Sequence, residues 1–218
     1  MAKKTVAVVL SGCGVFDGAE IHESVLTLLA LDHQDASYQC FAPDVDQHHV
    51  INHISGDEMD ESRNVLIESA RIARGQIKAL SEFDAAAFDA LLLPGGFGVA
   101  KNLSNLAFAG SECVVDTDLQ HAVTAMVAAG KPIGALCISP AVIAGILPGA
   151  RVTIGEDPGT ISAIEAMEGV HQKTTHAEVV IDARLKLVTS PCYMLDASIS
   201  QIAAGVENTV RAVLKLTR

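Results

Sequence analysis

Residues 131–141 read KPIGALCISPA, an apolar run that ends on a cysteine and then turns at once. A cysteine between a strand and a helix is lifted off the sheet, and the amino end of the helix favours its thiolate. Cys137 is therefore the first candidate for chemistry, as a nucleophile, set against the plainer reading of a buried structural cysteine. Gly134 before it and Ser139-Pro140 after it are the small and turn-forming residues that a tight bend needs. The run PGGFG at residues 94–98 ends another apolar stretch, and its glycines let backbone approach closely. The N–H groups of Gly95 and Gly96 could join that of Ile138 in an oxyanion hole. Glu20 and Glu23, at i and i+3, share a helix face just after the first apolar run, and either could reach the thiol as an acid. One of them is accounted for as a favourable charge at a helix start. Ile138 stands where a histidine beside the thiol would act as its base. Without that imidazole, ionisation must come from the dipole at the bend and a neighbouring acid.

Three other patterns carry less. SGCGVFDG at residues 11–18 follows a strand and precedes a helix, but its glycines are spaced G-x-G-x-x-x-G and not G-x-G-x-x-G. Glu20 and Glu23 would also oppose a pyrophosphate at that helix start, so a nucleotide site is not expected. Cys13 in the same loop could bring a second thiol to the cleft. His48, His49 and His53 have no third ligand at a fixed spacing, so they are expected to be solvent-exposed and no metal is expected.

The elements that must position these residues follow from the hydrophobic period. Strands are expected over residues 5–10, 38–42, 88–93, 133–136, 151–154, 178–181 and 186–189. Helices are expected over residues 19–31, 64–74, from Asp116 or Thr117 to 129, from Ser139 or Pro140, over 160–167 and over 198–216. Strands alternating with helices predict an α/β sandwich around a mostly parallel sheet, with function beyond the carboxyl ends of the strands. Residues 44–80 begin as a polar stretch without period and read as an insertion within one domain spanning residues 1–218. Half of the 218 residues are hydrophobic and none is Trp, so the core must be aliphatic. A net charge of −11 argues against nucleic acid and anionic membrane as partners. No apolar run is long enough to span a bilayer, and the short apolar start is not followed by a cleavage site. Five cysteines without a C-x-x-C pair fit free thiols in a reducing cytoplasm.

The motifs SGCGVFDGAEIHE, INHISGDEMDESRNVLIESARIARG, LLPGGFGVAKNLSN and GALCISPA together resemble the ElbB family. These are glyoxalase proteins associated with isoprenoid biosynthesis, in the PfpI branch of the class I glutamine amidotransferase-like superfamily. The resemblance runs over nearly the whole chain. It implies a flavodoxin-like three-layer sandwich, Cys137 on a nucleophile elbow, and Glu23 near the thiol with Glu20 as the fallback. It also implies an oxyanion loop at Gly95 and Gly96, and a homodimer. The implied reaction turns glyoxal or methylglyoxal into glycolate or lactate through a Cys hemithioacetal, without cofactors. Redox sensing or partner binding through the same cysteine is the alternative. PfpI-type relatives carry His where Ile138 stands, and glutaminases use a late His-x-Glu. His176-Ala177-Glu178 matches that string, but it leads into a strand where a helix would be needed.

Overall fold

The computed structural model describes residues 3–217. The chain runs β1 (Thr5–Val9), α1 (Ile21–His33), β2 (Ser37–Ala42), α2 (Val65–Ile72), β3 (Ile77–Ala79) and β4 (Ala90–Leu93). Two short helices, α3 (Phe97–Lys101) and α4 (Leu106–Ala109), precede α5 (Thr117–Ala128), β5 (Ile133–Leu136) and α6 (Ser139–Ile146). The last third holds β6 (Arg151–Val152), α7 (Pro158–Ala166), β7 (Val170–His171), β8 (Val180–Asp182), β9 (Leu187–Ser190) and α8 (Ile199–Leu216).

Seven strands form one sheet in the order β3-β2-β1-β4-β5-β9-β8, parallel throughout except for β8 against β9. Strands β4, β5 and β9 are buried along their whole length, as strands covered on both faces must be. Helices α1 and α8 pack on one face, where the core includes Val8, Leu92, Val206 and Val210. Helices α5 and α6 cover the other, around Leu91, Leu119, Met126 and Val142. This is the three-layer flavodoxin-like architecture. Helix starts are set by side chains: Asp116 accepts from the Leu119 N–H at 3.0 Å, and Ser198 and Gln201 form a capping box on α8.

From β1 the chain moves outward through β2 and β3, then returns to β4 on the other side and continues to β5 and β9. The direction of winding reverses between β1 and β4, and at such a switch point the loops separate and open a crevice. The loops after β1 and β4 both lie there.

Three expectations are corrected. The pair Arg151–Val152 does not join the main sheet, since β6 pairs only with β7. In the stretch 44–80 the helix expected over 64–74 is present as α2, but it is followed by an unexpected strand, β3, which lies on the sheet edge beside β2. The irregular part of the stretch folds back on itself through bridges between Asp46 and Asn64 and between Ile51 and Glu58. His49 is half-buried, because it packs edge-on against Phe108 with ring centroids 5.7 Å apart. Among the described residues no helix is long and apolar enough to cross a membrane.

Candidate active site

Cys137 sits one residue beyond β5 with φ +59°, in the left-handed region that side chains avoid. Two hydrogen bonds and a proline shape this bend. The Cys137 N–H donates to the Ser190 carbonyl at 3.0 Å, which carries the β5–β9 ladder on to Cys137 itself. Ser139 Oγ donates to the Pro94 carbonyl at 2.8 Å, tying the start of α6 to the loop after β4. Pro140 lies in the first turn of α6, where its missing N–H is no loss. Strain of this kind persists only where the surroundings over-determine it.

The two glutamates divide their roles. Glu20 is the N-cap of α1, and its carboxylate accepts from the Glu23 N–H at 2.7 Å. Glu23 points inward and is fully buried. Its Oε2 accepts from the Gly95 N–H at 2.9 Å and its Oε1 from the Tyr193 N–H at 3.1 Å. The Glu23 carboxyl and the Cys137 thiol lie close together beside Gly95 and interact. Gly95 passes between the two: a Cβ there would lie 2.2 Å from Cys137 Cβ and 2.7 Å from Glu23 Oε2. Its N–H is thus committed to Glu23 and not free for an oxyanion. The N–H groups of Gly96 and Ile138 are the ones turned to the Cys137 sulfur. Gly96 achieves this at φ +102°, packed so tightly on Gly18 and Glu20 that a Cβ would meet both within 2.4 Å.

Burial governs the protons. Loss of water, only partly countered by the N–H groups of Tyr193 and Gly95, lifts the Glu23 carboxyl from an ordinary 4.5 to about 7, with the Glu20 charge adding to the rise. The Cys137 thiol, 6% exposed, is also pushed well above its ordinary value, first by burial and then by the Glu23 charge. The Gly96 and Ile138 N–H groups pull it back only in part. The sequence pattern points to surroundings that ionise the thiol. In the fold, desolvation outweighs the dipole of the short α6, so ionisation must be by proton transfer within the pair.

The remaining candidates lie elsewhere. Cys13 has Glu68, Asp17, Arg63 and Arg71 as its charged neighbours and belongs to the contact with the excursion after β2. His53 packs at a tilt against Phe16 and lies 3.8 Å from Asp17. No group of three or more metal-binding side chains is present among the described residues. The Glu178 carboxylate caps its own turn by accepting from the Thr175 N–H at 2.7 Å, so the His-x-Glu string presents no acid to the thiol. Two site residues escaped the sequence argument. Tyr193 offers Glu23 a backbone donor, which no side-chain pattern can reveal. Cys192 is fully buried and interacts with both Cys137 and Glu23, itself at φ +41°. Pro191 before it was the available signal.

The sequence pattern of the DJ-1/PfpI family matches residues 15–197. The chain is 45% identical over 222 residues to the Homo sapiens protein "Glutamine amidotransferase-like class 1 domain-containing protein 3, mitochondrial", covering 97% of this chain and 83% of that one. It is 33% identical to "ES1 protein, mitochondrial" of Danio rerio, over 97% of this chain and 86% of the fish protein. Among solved structures, an isoprenoid biosynthesis protein with an amidotransferase-like domain from Ehrlichia chaffeensis superposes with a TM-score of 0.92 at 38% identity. That match covers 98% of this chain and 99% of the other.

Proposed function

Because this chain belongs to the DJ-1/PfpI family, we propose that its Cys–Glu pair turns small α-oxoaldehydes into 2-hydroxy acids, as the resemblance to ElbB glyoxalases implies. The observation that carries this reading is the fully buried Glu23 carboxyl lying beside the Cys137 thiol at Gly95, with the Gly96 and Ile138 N–H groups turned to the same sulfur.

The thiol proton passes to the Glu23 carboxylate as the sulfur attacks the aldehyde carbon. A C–S bond forms, the C=O π bond breaks, and the alkoxide is held by the Gly96 and Ile138 N–H groups until protonated, giving a hemithioacetal. Glu23 as carboxylate then takes the proton from that carbon, and the electron pair moves on to the neighbouring carbonyl. Return of a proton to the second carbon leaves a thioester, so one carbon is oxidised as the other is reduced. Water cleaves the C–S bond and releases the acid, with the thiol restored. The balance is one oxoaldehyde and one water to one 2-hydroxy acid, with no metal, glutathione or nucleotide taking part. Purified protein in EDTA is expected to form glycolate from glyoxal, and Cys137→Ser to abolish it. Full activity in Cys137→Ser would reject the scheme.

A second reading has an observation in its favour. The N–H groups that face the sulfur would equally hold the oxygens of a sulfinate formed by peroxide. Stable sulfinate on Cys137 by mass spectrometry, with negligible dicarbonyl turnover, would favour sensing. We further propose a homodimer formed through α1. Its Ile21, Val25 and Leu29 recur every four residues and are 42%, 48% and 44% exposed. Free thiols fit a reducing compartment: the cytoplasm expected from the sequence, or the mitochondrion that the names of the human and fish relatives give for those proteins.

A further inference from the structure

Ile138 faces two ways. Its N–H is turned to the Cys137 sulfur, while its side chain lines a cavity of about 210 Å³. Phe97, which directly follows the other donor Gly96, forms part of the same wall with Leu106, Ala107 and Ala163. One donor residue, Ile138, and the residue that follows the other, Phe97, therefore border this space. None of the lining side chains is charged, and only that of Thr160 is polar. In a chain of net charge −11, with an acid on the other side of the sulfur, that neutrality bears on what the space can accept.

A hemithioacetal on Cys137 has three directions to fill. Its oxygen goes to the Gly96 and Ile138 N–H groups, and the two carbons that exchange a proton must face Glu23. The substituent on the second carbon is left to point away from Glu23, on the Ile138 and Phe97 side. We propose that this cavity is the subsite for that substituent, and that the preferred substrates are α-oxoaldehydes bearing an uncharged apolar group, aryl or branched alkyl, which are turned over more efficiently than glyoxal. The volume falls below the roughly 300–1,000 Å³ of pockets that take drug-sized ligands; it suits a ring, and a methyl group would leave it largely empty. The proposal rests on the oxoaldehyde reading of the site.

The test compares phenylglyoxal with glyoxal in wild type and in Ala163→Leu, which fills the cavity from α7 without touching Cys137 or Glu23. Burying an aryl group predicts kcat/KM for phenylglyoxal about 10–100-fold above that for glyoxal. Ala163→Leu should remove most of that advantage and leave glyoxal turnover within about twofold. Equal efficiency for the two aldehydes, or equal loss of both in Ala163→Leu, would overturn the proposal. A second measurement separates it from the reaction itself. Acetophenone, an unreactive aryl ketone, titrated into Cys137→Ser, should shift the NMR signals of the Ala107 and Ala163 methyl groups. Such shifts without turnover of either aldehyde would uphold the cavity as an aryl subsite and reject the reaction; absence of shifts would reject the subsite whatever the turnover.

Discussion

Glu23 and Cys137 behave as one titrating unit, because two charges side by side in a dry site are disfavoured and burial keeps one proton between them. In the proposed reaction the attacking form is the singly protonated pair with the proton on the carboxyl. That form appears as the doubly protonated pair loses a proton near pH 7, so kcat/KM for an oxoaldehyde is expected to rise through about pH 7. Glu23→Gln removes both the shuttle and that limb, lowering kcat/KM by roughly 10²–10⁴-fold in a steady-state pH series. The same shift has a stability sign. The folded carboxyl titrates at about 7 against an ordinary 4.5, so the stability it contributes is fully present below about 4.5 and lost as pH rises through 7. A shift of that size amounts to about 3 kcal/mol. Denaturant midpoints between pH 4.5 and 8.5 should fall more steeply in wild type than in Glu23→Gln; parallel slopes would show that Glu23 keeps an ordinary affinity for protons.

At the scale of elements the bend after β5 stores conformational strain that a smaller residue relieves. Cys137 adopts φ +59°, so Cys137→Gly should be more stable than Cys137→Ala by about 1 kcal/mol, read from urea midpoints. Ala more stable than Gly would mean the bend relaxes. This bend was legible in the sequence because its signals are local: β5 spans Ile133–Leu136, the residues the apolar run marks out, and α6 starts at Ser139. The expected strand at 88–93 is trimmed at its start, since β4 begins at Ala90. What the sequence hid depends on distant partners. β3 is three residues long and exists only because β2 offers its edge, and β6 leaves the main sheet to pair with β7. Between Glu20 and Glu23, spacing could not decide. The choice follows from the start of α1 at Ile21, which makes Glu20 the cap and turns Glu23 inward.

At the scale of the whole molecule, α1 joins the site to the surface: its inner side carries Glu23 and its outer side the Ile21, Val25 and Leu29 stripe. In a twofold dimer the same patch meets itself, so one substitution places two charges in one apolar contact. Val25→Asp is expected to shift the protein from dimer to monomer in sedimentation equilibrium. A wild type already monomeric at micromolar concentration, or a variant still dimeric, would discard that interface. The three-layer plan was readable from alternating strand and helix patterns, whereas the pairing of the excursion after β2 with the first loop was not. That pairing runs through contacts such as Ile51 N–H to Asp17 Oδ2 at 2.7 Å, which link residues far apart in the chain. One further consequence follows from the end of β9. The Ser190 carbonyl holds the Cys137 N–H from behind, and three residues later the Tyr193 N–H holds the Glu23 carboxylate. Both members of the Cys137–Glu23 pair thus hang from one short piece of backbone. A displacement of that segment would therefore carry the supports of thiol and carboxyl in the same direction, like two needles on a common mount.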